Sequence, residues 1–243
     1  MSKPHGIVVF DIVGTLVGFE SWHRTIDREI GPKLASHGIT AQMFGYTWMT
    51  HAELEYTFLC MSERYTAYKE VMKATFYRTL GMAGVADPRG VFSHEERDRC
   101  QAGYAALELR PGAKECIEIL RGADFDVRCL TTADLSRVQG YFRRGGVEMP
   151  AEKFVSCDQG GVAKPALAAY RPVFDGCREE VGERAWFAAG HMWDVAAARK
   201  VGFKGAYCSV YEKEDCLDIH GGEMDVMAES LPEMARKIVE AAK

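Results

Sequence analysis

The stretch Ile7-Val8-Val9-Phe10-Asp11-Ile12-Val13-Gly14-Thr15-Leu16 decides the fold. Ile7 to Phe10 is a continuous apolar run, too short for a helix and rich in β-branched residues. It suits a strand buried on both faces of a parallel sheet. Asp11 then stands at the carboxyl end of that strand, at the start of a turn that contains Gly14. Ligands of open parallel sheets bind beyond the carboxyl ends of the strands, so polar residues at such ends are the first candidates for function.

Downstream of this strand the texture turns helical. Tyr46 to Leu80 holds no Gly or Pro, and Leu54, Phe58, Met61, Tyr65, Tyr68, Met72 and Phe76 recur at spacings of three and four. The pattern predicts one long helix, or two with a break near Ser62, and the apolar stripe is read as packing surface. Ser93 and Glu96 form a capping box that starts another helix. After Arg110, short apolar runs alternate with amphipathic segments, the signature of strand and helix units around a parallel sheet. Pro111 is predicted to open a helix with Ala113, Cys116, Ile117 and Leu120 on one face. Strands are expected at 126–131, 154–157, 186–189 and 204–208, and helices near 134–144, 165–181 and 194–201. A last helix starts at the Ser230 to Glu233 capping box, with Pro232 in its first turn. The predicted architecture is α/β, with a Rossmann-like parallel-sheet core formed by residues 1–16 and 107–243. Residues 17–106 are inserted in it as a helical cap domain over the active site.

Composition narrows the class of partner. Of 243 residues, 47% are hydrophobic and 27% charged, the mixture of an ordinary globular chain. The formal net charge is −5, with Lys and Arg scattered, so the footprint of a nucleic-acid binder is missing and a small-molecule partner is expected. No apolar stretch is long enough to cross a bilayer, and the first residues run into a charged turn rather than a cleavage site. A cytoplasmic protein without a membrane partner is the expectation. The eight cysteines (Cys60, Cys100, Cys116, Cys129, Cys157, Cys177, Cys208 and Cys216) form no C-x-x-C unit and are read as reduced core thiols.

Four predicted strand ends supply polar groups: Asp11 with Gly14 and Thr15, then Thr131 and Thr132, then Lys164, then His191 and Asp194. A carboxylate in a Gly-containing turn can act as a nucleophile, and a neighbouring ammonium, here Lys164, keeps it ionised. Thr131 and Thr132 suit an anion held at the start of the following helix. Each feature has a plainer reading when taken alone. Asp11 can serve a turn, Lys164 can be a surface residue, Asp194 can cap a helix, His191 can be structural and Trp193 can simply pack. Their joint order along the chain argues for a site.

That order, F-D-I-V-G-T-L at 10–16, L-T-T at 130–132, K-P at 164–165 and W-D at 193–194, resembles the haloacid dehalogenase superfamily over nearly the whole chain. Phosphatases of the superfamily carry a second Asp two residues after the nucleophile, where this chain has Val13. That replacement, the L-E-Y-T-F-L run at 54–59, Tyr170 and Trp193-Asp194 resemble the 2-haloacid dehalogenase branch. The resemblance implies metal-independent displacement of halide from C2 of a 2-haloacid by Asp11, an ester intermediate and its hydrolysis, with inversion. It also implies that Lys164 orients Asp11, that Thr15 and Thr131 position carboxylates, and that Asp194 holds Lys164 or activates water. Tyr170 lines the site, and Trp193 and Thr132 join the substrate-binding group. A homodimer is plausible on the same basis.

Departures from the pattern are specific. The arginine that precedes the L-E-Y-T run in these dehalogenases is replaced by Met49 or Thr50, with Arg24 and Arg64 as possible substitutes. The strand-two Ser-Asn pair reads Thr131-Thr132, and the S-x-N ahead of Trp-Asp reads Ala189-Gly190-His191. His191 is therefore expected to assist the hydrolytic water. No cofactor is expected. The alternatives are a Mg²⁺-dependent phosphatase of the same fold, which Val13 opposes, and a protein of this fold without turnover.

Overall fold

Every residue of Gly6–Phe10 (β1) is buried, so its backbone polar groups cannot turn to water and both strand edges must be paired. β1 pairs in parallel with Phe125–Thr131 (β4) on one side and with Ala185–Ala189 (β6) on the other. The computed structural model describes residues 3–157 and 161–243. The chain divides into two compact units, Met1–Gly18 with Leu109–Lys243, and Phe19–Glu108.

Among the described residues the first unit holds a six-stranded sheet, completed by Phe154–Ser156 (β5), Lys204–Cys208 (β7) and Val226–Ala228 (β8). Its order is β5-β4-β1-β6-β7-β8, and each neighbouring pair is parallel. The chain leaves β1 toward β4 and β5, then returns on the other side to β6, β7 and β8. The carboxyl end of β1 is thus a topological switch point, where a crevice opens in sheets of this kind. Two further strands, Val17–Gly18 (β2) and Glu108–Leu109 (β3), are two residues each.

Helices Leu167–Val181 (α8) and Met192–Val201 (α9) cover the sheet face that carries Ile7, Val9 and Phe187, with Tyr170, Phe174 and Val195 in the same apolar cluster. Ala113–Gly122 (α6) and Leu231–Ala241 (α11) pack on each other and on the strands. Leu135–Arg144 (α7) follows β4, and Leu217–His220 (α10) is a single turn. Pro111 does not open α6: the helix starts at Ala113, because Gly112 takes the left-handed conformation at φ 81° and cannot belong to the helix interior. At α11 the Ser230 hydroxyl accepts from the Glu233 N–H, while the Glu233 carboxylate accepts from the Glu229 N–H. The strand β8 went unread in the sequence, because three residues carry no usable period.

The second unit is helical: Glu20–Ala35 (α1), Ala41–Met61 (α2), Tyr68–Met82 (α3), Pro88–Val91 (α4) and His94–Ala105 (α5). The predicted helical stretch is two helices, α2 ending at Met61 with Ser62 as its C-cap, and Glu63 in a left-handed conformation at φ 58° stops it. The Ser93–Glu96 capping box is fully formed. Trp22, Phe44, Trp48 and Phe76 build the interior of this unit, with ring centroids 5.5 Å apart for Trp22–Trp48 and 5.0 Å for Trp48–Phe76. The Trp22 and Trp48 indole N–H groups donate to the carbonyls of Cys100 and Met72.

The stripe read as packing is corrected in α2. Met72 and Phe76 are buried, but Leu54 (50% exposed), Phe58 (56%) and Met61 (78%) face outward with Met43 and Tyr46. This helix is apolar on two sides. The side bearing Phe44, Trp48, Ala52 and Tyr56 goes inward, carrying the larger ring area and the Trp48 hydrogen bond.

All eight cysteines are free, and six are buried as expected. Cys216 is exposed and Cys60 half-buried, so neither is a core thiol. Burial pushes the Cys100 thiol up to about 12 and the Cys157 thiol up to about 11. No helix among the described residues is long and apolar enough to cross a membrane.

Candidate active site

Asp11 is the first residue beyond β1, and its backbone N–H donates to the Ala188 carbonyl of β6 at 3.0 Å. The turn that follows brings Gly14 to φ 91°, in the left-handed region where only Gly is unstrained. A Cβ there would lie 2.3 Å from His191 Cε1, so any side chain would displace the imidazole. Thr15 closes the turn by a two-way hydrogen bond. Its hydroxyl donates to Asp11 Oδ2 at 2.7 Å and accepts from the Gly190 N–H at 2.7 Å, joining the ends of β1 and β6.

Lys164 enters from the segment between β5 and α8. Its ammonium donates to Asp11 Oδ1 at 2.8 Å, Asp194 Oδ2 at 2.6 Å and the Leu130 carbonyl at 3.3 Å, which uses all three N–H bonds. Asp194, in the first turn of α9, is fully buried and takes its other oxygen's hydrogen bond from the Tyr170 hydroxyl. Three charged groups distant in the chain, Asp11, Lys164 and Asp194, thus share one cluster in the first unit.

The electrostatics of the cluster favour an ionised Asp11. Burial alone would raise the Asp11 pKa, but Lys164 and His191 outweigh burial and hold it well below the usual carboxylate range. Burial would likewise lower Lys164, yet Asp11 and Asp194 together raise it. Asp194 is raised, by burial and by the like charge of Asp11, against the pull of Lys164. The two carboxylates face one ammonium, and Asp11 is the one with an additional imidazole beside it.

His191 is buried at the N-cap of α9, with Nδ1 3.5 Å from Asp11 Oδ2. Its ring meets Trp193 (centroids 5.4 Å apart) and the edge of Tyr211 (5.0 Å). Trp193 is half-buried beside it. Tyr170 was expected to line the site. It is wholly buried against Phe187, and its hydroxyl meets the cluster at Asp194.

The turn after β4 also differs from expectation. The Thr131 hydroxyl is buried and accepts from the Ala133 N–H at 3.1 Å, and Asp134 caps α7 by accepting from the Arg137 N–H at 3.0 Å. The helix start expected to receive an anion is therefore capped by the chain's own carboxylate, which leaves half-buried Thr132 as the more available hydroxyl of the pair. Of the residues considered for the missing arginine, Met49 is buried in the helical unit. Arg24 is exposed and pairs with Glu108 at 3.5 Å, and Arg64 is also exposed.

Three residues around His191 were missed. Tyr211 and Glu212 follow β7, and their signal was available: they lie just past a strand's carboxyl end, the criterion that selected the others. Arg110, buried, donates to the Gly14 carbonyl at 3.3 Å and lies over the Tyr211 ring at 5.7 Å. It looked like a boundary residue in the sequence.

A family profile for haloacid dehalogenase-like hydrolases matches residues 6–202, a span containing Asp11, Lys164 and Asp194. The chain belongs to the haloacid dehalogenase-like hydrolases. Among the relatives of this hydrolase, (S)-2-haloacid dehalogenase 4A of Burkholderia cepacia is 23% identical over 80% of this chain and 79% of its own. (S)-2-haloacid dehalogenase 2 of Pseudomonas sp. (strain CBS-3) is 22% identical over 93% of both chains. Solved structures share the fold. L-2-haloacid dehalogenase RSc1362 superposes with a TM-score of 0.76 at 15% identity, covering 96% of this chain and 98% of that one. The enzyme from Xanthobacter autotrophicus gives 0.69 at 20% identity, covering 95% and 97%.

Other hydrolases of this fold use Mg²⁺, which needs several hard oxygen ligands. The residues of this hydrolase do not fit that ion. Val13 offers no carboxylate, and each oxygen of Asp11 and Asp194 already receives a donor from Lys164, Thr15 or Tyr170.

The cluster sets a pH signature. The folded pKa of Lys164 is raised, so its stabilisation is complete below the unfolded value of about 10.4 and is lost as pH rises through the folded value. The folded pKa of Asp11 is depressed, so its stabilisation is present above about 3.9 and is lost as pH falls through the folded value. Asp194, raised, works the opposite way and costs stability as pH rises above about 3.9. Lys164→Met leaves two buried carboxylates unpaired and is expected to lower stability at pH 7 by about 3–5 kcal/mol. In urea titrations the gap to the unaltered protein should narrow above about pH 10.4.

Proposed function

We propose that this hydrolase cleaves the carbon–halogen bond of a small 2-haloacid by way of an ester on Asp11. One observation carries the reading: a buried, ionised Asp11 held by Lys164 and Thr15, with Val13 where a second acid would be needed for phosphoryl chemistry. The ancestry supports it, since both curated relatives act on (S)-2-haloacids.

In the first step a carboxylate oxygen of Asp11 attacks C2 from the side opposite the halogen. The new C–O bond forms as the C–X bond breaks, and halide leaves with its electron pair. In the second step water adds to the carbonyl carbon of the Asp11 ester and the ester C–O bond breaks. The products are the inverted 2-hydroxy acid, a proton and free Asp11. Lys164 keeps Asp11 ionised before attack, and its N–H can stabilise the oxyanion formed during hydrolysis. Asp194, itself anchored by Tyr170, holds Lys164. His191 takes the proton of the attacking water, its Nδ1 being close to Asp11 Oδ2. Thr132 serves the substrate carboxylate, with Thr131 bracing the turn beneath it through the Ala133 N–H, and Trp193 serves as a wall of the pocket.

Self-association of two copies belongs to the same proposal. The outward stripe of α2 carries Met43, Tyr46, Leu54, Phe58 and Met61, each at least half exposed and none charged. Such a stripe is complementary to itself under a two-fold axis. With aromatic side chains of about 150–250 Å² each, the patch is on the order of 500 Å², a large part of the about 800 Å² per partner of a standard interface.

Two measurements check these statements. In a single turnover in ¹⁸O water with excess enzyme and (S)-2-chloropropionate, the first product should be unlabelled and Asp11→Asn inactive, while His191→Ala accumulates ester because hydrolysis slows by about 10²-fold or more. Label in the first product would mean that water attacks carbon directly, and no product from a panel including chloro- and fluoroacetate would remove the haloacid reading. In sedimentation the protein should run as a dimer and Phe58→Glu as a monomer. A monomeric unaltered protein would remove the self-association.

A further inference from the structure

The turn that carries His191 is gripped by one neighbouring loop, residue against residue. Gly190 comes within 3.5 Å of the Tyr211 Cβ, measured from an ideal Cβ on the glycine. The His191 ring meets the Tyr211 ring edge-on, with centroids 5.0 Å apart at 65°. The backbone N–H of Met192 donates to the Glu212 carboxylate at 2.8 Å, satisfying one of the free donors at the start of α9. Three consecutive residues, 190–192, are therefore held by two consecutive residues, 211–212.

The grip is itself anchored. Ser209 donates its N–H to Ala228 of β8, and Lys213 donates its N–H back to Ser209. The Arg110 guanidinium lies over the Tyr211 ring while donating to Gly14, the residue that His191 packs against. Tyr211 and Glu212 reach the site through Gly190, His191 and Met192.

We propose that Tyr211 and Glu212 are positioning residues that fix the angle of the His191 imidazole for the hydrolytic half of the reaction. This rests on the role given to His191 above. Misplacing a catalytic group by about 1 Å costs on the order of 10²-fold in rate, so loosening either hold slows ester hydrolysis. Ester formation rests on Asp11 with Thr15 and Lys164 bonded directly to its carboxylate, contacts that neither variant removes, so it changes far less than hydrolysis.

The experiment follows ester on Asp11 by rapid quench and mass spectrometry, with (S)-2-chloropropionate as substrate. Tyr211→Ala and Glu212→Ala are expected to slow ester hydrolysis between about tenfold and 100-fold, with ester formation within about twofold of normal on the same scale. Tyr211→Phe keeps the ring edge, and Glu212→Gln keeps an oxygen that accepts the Met192 N–H, so each restores hydrolysis. A loop that merely packs would slow both steps together or neither, and failure of the conservative variants to rescue would likewise overturn the proposal. His191→Ala separates the two layers of argument. If it accumulates ester while the Ala variants at 211 and 212 do not, the positioning role alone falls. If it accumulates none, the role of His191 falls and the positioning role with it. The conservative variants also guard against misfolding, since a selective loss in Glu212→Ala that Glu212→Gln repairs cannot come from a collapsed sheet.

Discussion

The Lys164 ammonium between the Asp11 and Asp194 carboxylates is the interaction on which the core of this protein depends. Two buried negative charges this close repel strongly in a low-dielectric interior, and neither could stay ionised without a cation between them. Lys164 supplies it from a third region of the chain and spends its last N–H bond on the Leu130 carbonyl. The same contact therefore ties together the segments after β1 and β5, the end of β4 and the start of α9. Stability and chemistry draw on one group of atoms, and the cluster cannot be adjusted for one without touching the other.

Around that cluster, roles divide by distance from Asp11. Thr15 and Lys164 touch the carboxylate and orient it. Tyr170 stands one layer behind and acts on Asp194. Tyr211 and Glu212 stand behind His191 in the same way. A hydrophobic ring in a fully buried position needs a partner for its hydroxyl, and in Tyr170 that need is met by Asp194, which explains a tyrosine in the apolar cluster between sheet and α8.

Much of this was legible in the sequence because two signals were strong. The run Ile7 to Phe10 has no polar face, so it identified a central strand, and the polar residues past such strands identified Asp11, Lys164, His191 and Asp194. Weaker signals misled. Helical periodicity in α2 marks two apolar sides equally well, and only the packing of Trp48 tells which one turns inward. Pro111 is a common first helical residue, but the left-handed Gly112 after it moves the start. Tyr211 and Glu212 lie past the carboxyl end of a strand, where the criterion that selected the others applies, but spacing in one chain does not show that they reach residues 190–192. The hydroxyl of Thr131 looked free for a ligand because a single sequence does not display its bond to Ala133.

β1 lies in the middle of its sheet although it is made near the beginning of the chain. Its partner β4 is made more than a hundred residues later, and β6 later still. At about 5–20 residues per second, a nascent chain carries this apolar segment for roughly 10–40 s before both of its edges can be covered. During that time the helical segment, whose contacts are closer in sequence, can already form, whereas the sheet must wait for distant strands. The central place of β1 therefore leaves a four-residue hydrophobic run uncovered for most of the synthesis of the sheet, an interval in which exposed apolar surface is open to association with other chains.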